Sequence, residues 1–386
     1  MYKILTLNKI SKFGLDKLPE NYTVSDDEKN PDGIMLRSFK MHDMELPKSL
    51  KAVARCGAGV NNIPLDKCAE KGIVVFNTPG ANANAVKELV LTALLISSRK
   101  ITDAYNWCQS LNGTEGVAAA VEKGKSQFAG PEITGKTLGV IGLGAIGLLA
   151  ANAAVSLGMD VIGYDPYLSV NGALNLDSNV KYTTDLDEIF KNSDYITIHV
   201  PLTDETKYTF RKETFEKVKK GVRVINLARG ELVNNDDMKE ALKEGIVSRY
   251  VTDFPNEEVL GVENIITLPH LGASTPEAED NCAIMAAKEM VDYLENGNIV
   301  NSVNFPACSL PRTDKVRVCI TQKNVPNLVS AITGVFGNKN INIDNMVNKS
   351  RGNFAYTIID ADSDVNDDTV KAIEAVDGVI GVRVIK

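Results

Sequence analysis

The stretch Leu138–Gly147 limits what this chain can fold into more than any other. A β-like run, Leu138 to Ile141, enters Gly142-Leu143-Gly144-Ala145-Ile146-Gly147, and an Ala-rich helical run follows. In a G-x-G-x-x-G between strand and helix, the first glycine allows a tight turn and the second lets a ligand approach the backbone. The third lets helix and strand pack closely. The helix so begun presents free backbone N–H groups, a suitable seat for a pyrophosphate, with Ala145 and Ile146 in its first turn. Leu138–Met159 is 22 residues without a charge, long enough to suggest a membrane helix. Five of them are glycine, three at turn spacing, so the stretch reads as strand, turn and helix of a soluble domain. Asp165 stands 18 residues after Gly147, at the end of the next predicted strand, Val161–Tyr164. A carboxylate there accepts hydrogen bonds from both ribose hydroxyls of a dinucleotide and repels a 2′-phosphate. Pro166, Tyr167 and Leu168 supply no cation, so the expected cofactor is NAD rather than NADP.

The rest of the chain alternates in the same sense. Short apolar runs at Lys3–Leu7, Gly33–Leu36, Ala52–Ala54 and Ile73–Asn77 are separated by polar, helix-like connections, a βαβ pattern. Val86–Ser98 reads as an apolar helix. A second series follows Lys136, with strands predicted at Tyr195–His199, Arg223–Leu227, Arg249–Thr252 and Ile265–Thr267. Such a series specifies a mostly parallel sheet covered on both faces. Thr275–Asn296 reads as one long helix with Ser274 and Thr275 as caps and Gly297 as stop. Pro306 and Pro311 mark a linker within Asn301–Asp314. The last seventy or so residues read β (315–321), α (327–339), β (342–349), β (354–360), α (367–376), β (379–384), the ferredoxin-like order. At 386 residues the chain exceeds the roughly 100–200 of one domain, so two or three cores are expected.

Composition excludes several classes. A formal charge of −8 opposes broad electrostatic binding to nucleic acid. The six cysteines are scattered without zinc-like or disulfide-like spacing, which predicts free thiols in a reducing compartment. Met1–Ile10 lacks the long apolar region of a secretion signal, so the cytoplasm is expected, with no membrane partner. Asp360, Asp362 and Asp364 imitate the start of a calcium loop, but Val365 replaces its glycine and Lys371 its final glutamate. No metal is expected.

Hydride exchange between a hydroxy acid and a nicotinamide needs a proton acceptor for the alcohol and a cation for the carboxylate. Of three histidines, His42 lies in a polar loop, and His199, two residues before Pro201, reads as a strand-end residue whose backbone lies near the cofactor. His270 follows the strand Ile265–Thr267, at the carboxyl end where α/β sites assemble. Arg229 ends the apolar run Val224–Ala228, and a planar two-pronged donor there suits an α-carboxylate. Glu257 or Glu258, after Asp253-Phe254-Pro255-Asn256, can pair with His270 to raise its basicity and fix its tautomer.

Together, Gly142–Gly147, Asp165, Asn226–Gly230, Asp253–Glu258 and Pro269–Ser274 resemble the D-2-hydroxyacid dehydrogenase family in order and spacing, over nearly all of the chain. The resemblance implies a catalytic set of Arg229, Glu258 and His270. Glu258 matches the family's D-x-x-x-x-E spacing from Asp253, although Val259 stands where a proline is usual. It implies an NAD site that also includes Val200, Pro201, Leu227, Ala228, Asp253, Gly272 and Ala273. The implied architecture is a Rossmann-type doubly wound domain (94–274) inserted in a smaller flavodoxin-like α/β substrate domain (1–93, completed by 275–302). A linker (303–314) and a ferredoxin-like ACT domain (315–386) follow. Arg37-Ser38 resembles the phosphate-contacting pair of family members that act on a phosphorylated 2-hydroxy acid, and Ala58-Gly59-Val60-Asn61 the substrate-carboxylate loop. The substrate implied is D-3-phosphoglycerate. The alternatives are another hydroxyacid, as in a glyoxylate or hydroxypyruvate reductase, and a non-catalytic NAD-sensing corepressor. Closure about a hinge is implied, with the site in the cleft. Gln322, Asn324 and Asn342 stand where serine-sensitive members bind that effector, with Gln322 in place of a histidine and Asn327 in place of a glycine. A homo-oligomer, dimer or tetramer, is implied as well.

Overall fold

The alternation in the first eighty residues becomes five short strands, β1 (Tyr2–Thr6), β2 (Tyr22–Ser25), β3 (Gly33–Leu36), β4 (Ala52–Arg55) and β5 (Val74–Phe76). All pair in parallel, in the order β2-β1-β3-β4-β5, which is the flavodoxin-like order. β3 is buried along its whole length, as a central parallel strand covered on both faces requires. β2 escaped the sequence reading because it is a short edge strand whose Thr23 and Val24 face solvent. The computed structural model describes Met1–Lys386 in full, and its contacts divide it into two units, Met1–Ala81 with Pro276–Lys386, and Asn82–Thr275.

The helix Pro276–Val291 returns to this first sheet. Ala278, Cys282, Ala283, Ala286, Ala287 and Met290 form its buried stripe, and small residues there let it come close. At Gly33 a β-carbon would lie 2.6 Å from the Met290 sulfur, so β3 passes directly beneath the helix. A π-helical turn, Asp292–Asn296, and Gly297 at φ +74° then end it.

In the second unit, β6 (Thr137–Ile141), β7 (Asp160–Tyr164), β8 (Val180–Thr183), β9 (Tyr195–Ile198), β10 (Val222–Asn226), β11 (Val247–Thr252) and β12 (Ile265–Thr267) form a parallel sheet. Its order, β12-β11-β10-β9-β6-β7-β8, is the doubly wound one, with the direction of winding reversing between β6 and β9. β8 was missed as a strand because two of its four residues, Lys181 and Tyr182, are exposed. Helix Ala83–Arg99 packs on one face of this sheet through Val86, Val90, Ala93 and Leu94.

The C-terminal pattern lies within two residues of prediction at every boundary: β13 (Val316–Lys323), β14 (Ile343–Arg351), β15 (Phe354–Ala361) and β16 (Val379–Ile385), with helices Leu328–Asn338 and Asp367–Glu374. The sheet is antiparallel, ordered β14-β15-β13-β16. Val318, Ile320 and Ile359 face the helices, and the alternate residues Cys319, Tyr356 and Ile358 join a core with Phe76, Tyr293, Leu294 and Phe305. The stretch read as a linker is packed accordingly. Phe305 is fully buried, and the Asn304 side chain donates to Ile73 O and accepts from Val75 N, both at 2.9 Å.

One side chain fastens this module. Arg317, fully buried, donates from Nε and Nη2 to Asp360 at 2.7 and 2.9 Å. Nη1 donates to Asn296 O and Leu310 O and Nη2 also to Pro311 O, so all five guanidinium donors are used. Replacing Arg317 with Met leaves the Asp360 carboxylate buried without a cation and is expected to cost about 3–5 kcal/mol in urea unfolding. The double variant Arg317→Met with Asp360→Leu is expected to recover most of that loss; an equal loss in both would mean that the stranded charge is not the cause.

Candidate active site

The loop after β6 shows why its glycines are needed. Gly142 has φ +93°, and a β-carbon on it would lie 3.0 Å from the backbone of His199, in the loop after β9. A β-carbon on Gly147 would lie 1.8 Å from Gly142 O, so no larger residue fits as the helix Ala145–Ser156 leaves the turn. One on Gly144 would meet nothing within 4 Å, which leaves the helix N-terminus open to a ligand. Asp165 is held in place by the amides of Leu143 and Tyr167, which donate to Oδ2 and Oδ1 at 2.9 and 2.8 Å. The cradle thus lies between β6 and β9, where ligands of doubly wound sheets bind.

His199 meets that cradle with its backbone, as Gly142 requires. Its Nε2 shares a hydrogen bond with Thr197 Oγ1 at 2.9 Å, and Nδ1 is buried without a partner. Burial pushes the imidazole down to about 4, so it is neutral near pH 7.

Three candidate residues gather at the carboxyl ends of β10 to β12. Asp253, just past β11, is buried; its Oδ2 accepts from Gly272 N at 3.2 Å and its carbonyl from His270 N at 3.0 Å, while Oδ1 has no partner. Burial raises its carboxyl, opposed by the Gly272 hydrogen bond and then by the charges of His270 and Arg229. His270 is exposed, adopts φ +49° and lies against Phe254 in a tilted contact, ring centroids 4.8 Å apart and planes at 48°. Arg229 is exposed; its Nη1 donates only to Ala228 O at 2.6 Å, and no carboxylate pairs with it. Asn226, which sequence reasoning placed only within a motif, accepts from Ala228 N and donates to Arg229 O, fixing the turn that presents the guanidinium.

The expected pairing of a glutamate with His270 is not made. Glu258 N donates to Asn256 Oδ1 at 3.1 Å, and that turn directs the Glu258 carboxylate to Asn235 Nδ2 at 2.7 Å. Glu257 is exposed and does not bond to the imidazole either.

In the first unit, the Arg37–Phe39 loop closes over Asn8, whose Oδ1 accepts from the amides of Arg37, Ser38 and Phe39 at 2.9–3.0 Å. Arg37 pairs with Glu279 at 2.5 Å, both about half exposed, so its guanidinium is engaged rather than free. Arg55, at the end of β4, donates to Arg37 O at 3.1 Å. Burial, with neighbouring Cys282, pushes the Cys56 thiol up to about 12 against the pull of Arg55 and Arg37, so both cations act at this sheet edge. Ala58, Gly59 and Asn61 form the adjacent loop, tied by Asn77 Nδ2 donating to Ala58 O at 2.6 Å. Sequence reasoning missed Asn8 and Arg55. Arg55 carries the same signal that singled out Arg229, a cation ending a buried strand.

The C-terminal candidates do not converge. Gln322 is buried in β13, its Oε1 accepting from Thr357 Oγ1 at 3.1 Å, because it faces the neighbouring strand and not solvent. Asn324 and Asn342 are exposed at opposite ends of the sheet, since Lys323 pairs with Phe354 whereas Ile343 and Val316 both pair with Ala361.

Residues 91–272 match the model of the family described as D-isomer specific 2-hydroxyacid dehydrogenase, NAD binding domain. The chain is 32% identical over 369 residues to D-3-phosphoglycerate dehydrogenase of Haemophilus influenzae, covering 92% of this chain and 86% of that one. It is 39% identical over 267 residues to hydroxypyruvate reductase of Thermotoga maritima, covering 65% of this chain and 80% of that one. It spans only 51% and 52% of the length of two further phosphoglycerate dehydrogenases that it matches at 35% and 36% identity. The solved structure of NAD+-bound 3-phosphoglycerate dehydrogenase from Entamoeba histolytica is similar at a TM-score of 0.61 and 26% identity, over 78% of this chain and 98% of that chain. With a glycine cradle of the required geometry and relatives aligned along most of its length, this chain belongs to the D-isomer specific 2-hydroxyacid dehydrogenases and carries their NAD-binding domain.

Proposed function

We propose that this chain oxidises D-3-phosphoglycerate to 3-phosphohydroxypyruvate with NAD. The observation that carries the reading is the pairing of an uncommitted guanidinium, Arg229, with an exposed imidazole, His270, both close enough to act on the Asp253 carboxyl. Asp165 fits the adenosine ribose, the helix opening at Gly144 fits the pyrophosphate, and the unpartnered Oδ1 of Asp253 fits an amide donor such as the nicotinamide carboxamide. Bound NAD would accept the hydride. In the proposed reaction, Arg229 holds the substrate carboxylate with two parallel hydrogen bonds. His270 removes the hydroxyl proton as the C2–H bond breaks with its electron pair and the carbonyl forms. Glu258 supports the resulting imidazolium after exchanging Asn235 for His270.

Arg37 and Ser38 receive the phosphate in this reading, with Arg55 adding charge. The half-exposed Arg37–Glu279 pair supports it, because such pairs contribute only about 0–1 kcal/mol and yield readily to a phosphate dianion. The substrate domain is assigned to 1–93 with 275–302, the NAD domain to 94–274, the linker to 303–314 and an ACT regulatory domain to 315–386. Serine is the proposed effector, contacted by Asn324 and Asn342. Their separation in one chain favours a site completed by a second copy, in a dimer or tetramer. Gln322 is withdrawn from that set by its burial. A cytoplasmic site of action is proposed, supported by six unbridged cysteines, as a reducing compartment keeps them; no helix is long and apolar enough to cross a membrane.

The rival substrate is an unphosphorylated acid such as hydroxypyruvate, favoured by the Thermotoga maritima relative. NADH-linked turnover with phosphohydroxypyruvate, hydroxypyruvate, glyoxylate and pyruvate separates the two, and Arg37→Ala is expected to raise KM for the phosphorylated acid alone at least tenfold. A wild-type preference for the unphosphorylated acids would remove the phosphoglycerate reading. His270→Ala is expected to lower kcat by about 10²–10⁴-fold, and full activity in it would leave a binding protein. Glu258→Gln is expected to lower kcat and shift its pH profile while Glu257→Gln leaves both unchanged; the reverse pattern would transfer the role. For the cofactor, Gly147→Ala is expected to abolish NADH fluorescence enhancement, and Asp165→Ala to narrow the preference of NADH over NADPH.

A further inference from the structure

The return helix Pro276–Val291 has a face that its own core does not use. Together with Val300 and Asn301 it lines a cavity of about 620 Å³, apolar at Ile284, Met285 and Val300 and polar at Lys288, Glu289 and Asn301. That volume falls in the roughly 300–1,000 Å³ range of small-molecule sites. None of these residues belongs to the sets assigned above.

Glu289 is the anomaly in its lining. The residue is only 8% exposed, no cation pairs with it, and Oε2 has no hydrogen-bond partner. Oε1 accepts from Asn301 Nδ2 at 2.6 Å, and Asn301 has a left-handed φ of +57°. Burial pushes the carboxyl up to about 8, the Asn301 hydrogen bond opposing the rise. The folded chain therefore retains a proton that the unfolded chain releases above its ordinary value of 4.5. Below 4.5 both states are protonated; between 4.5 and about 8 stability falls as pH rises. A glutamine would keep the Asn301 contact without that loss. An ionisable group kept where it weakens the fold marks a binding role better than a structural one.

We infer that this cavity binds a small primary amine, its ammonium group paired with Glu289 and its short carbon chain against Ile284, Met285 and Val300. The terminal torsion of a glutamate is soft and roughly two-fold, so one oxygen can meet a donor in the cavity while Asn301 keeps the other. Asp292, whose Oδ1 accepts from Asn296 and Asn298 at 2.9 and 3.1 Å, also lines the cavity, and its negative charge offsets the positive charge of Lys288 in the same lining. The inference stands independently of the dehydrogenase chemistry.

The test titrates propylammonium chloride into the full chain at pH 9, where the Glu289 carboxyl is ionised and the amine is still protonated, read by saturation transfer to the ligand methyl group, with sodium propionate and 1-propanol as controls. Saturable binding of the amine is expected, at least tenfold weaker in Glu289→Gln and absent in Met285→Trp, which fills the cavity and leaves the carboxylate intact. Equal affinity in wild type and Glu289→Gln, propionate binding as well as the amine, or no saturable amine binding would each overturn the inference. In thermal unfolding, Glu289→Gln is expected to melt above wild type at pH 8 and level with it at pH 4. A variant that melts below wild type at pH 8 would make Glu289 a structural group and end the case for a ligand.

Discussion

Parallel strand pairing is the constraint on which the rest of this structure depends. It puts the carboxyl end of every strand in a sheet on one edge, so residues far apart in sequence become neighbours without specific contacts between them. In the larger sheet, β6 and β9 bring Gly142 and His199 together, and β10 to β12 bring Arg229, Asp253 and His270 together. In the smaller sheet, β1, β3 and β4 do the same for Asn8, Arg37 and Arg55. Backbone approach sets the tolerance: the 1.8 Å left beside Gly147 shows that this position is closed to any side chain.

Four of the six polar atoms buried without partners follow the same geography, Tyr22 Oη and Thr78 Oγ1 being the other two. His199 Nδ1 lies beside the glycine cradle and Asp253 Oδ1 just past β11, Asn62 Oδ1 belongs to the residue that ties down the Arg37 loop, and Glu289 Oε2 lies in the cavity lining of the return helix. Each forgoes hydration, and in natural proteins such atoms are few. The contrast is Arg317, equally buried but with every donor satisfied. It joins the C-terminal sheet to the end of the return helix and to the segment before β13. Arg383 adds a second tie, donating to Leu294 O and Tyr293 O and stacking on the Tyr293 ring at 4.3 Å. Full satisfaction of this kind rigidifies the fold around a buried charge.

Some of this was legible in the sequence because it is local. The G-x-G-x-x-G turn, the strand-end positions of Arg229 and His270, and the βαββαβ order all rest on periodicity, glycine conformation and spacing. The edge strands β2 and β8 were not legible, because half-exposed short strands resemble loops. The packing of the 301–314 stretch was not legible either, because its two prolines signal only a break, while the burial of Phe305 depends on a sheet more than two hundred residues earlier. The state of Glu258 was equally hidden, since the Asn256 side chain turns it toward Asn235.

The sequence by itself determined the class of fold and the dinucleotide cradle, and it put one cation and one imidazole at strand ends, since each follows from short-range rules of backbone geometry. Tertiary structure alone decided which charges are free and which are engaged. Arg229 is left uncommitted, Arg37 is paired with Glu279, Gln322 is closed inside its sheet, and Glu289 is denied both water and a counterion. The physical reason is that hydrogen bonding and desolvation depend on what surrounds an atom in space, and those surroundings are assembled from strands and helices that the chain brings together only on folding.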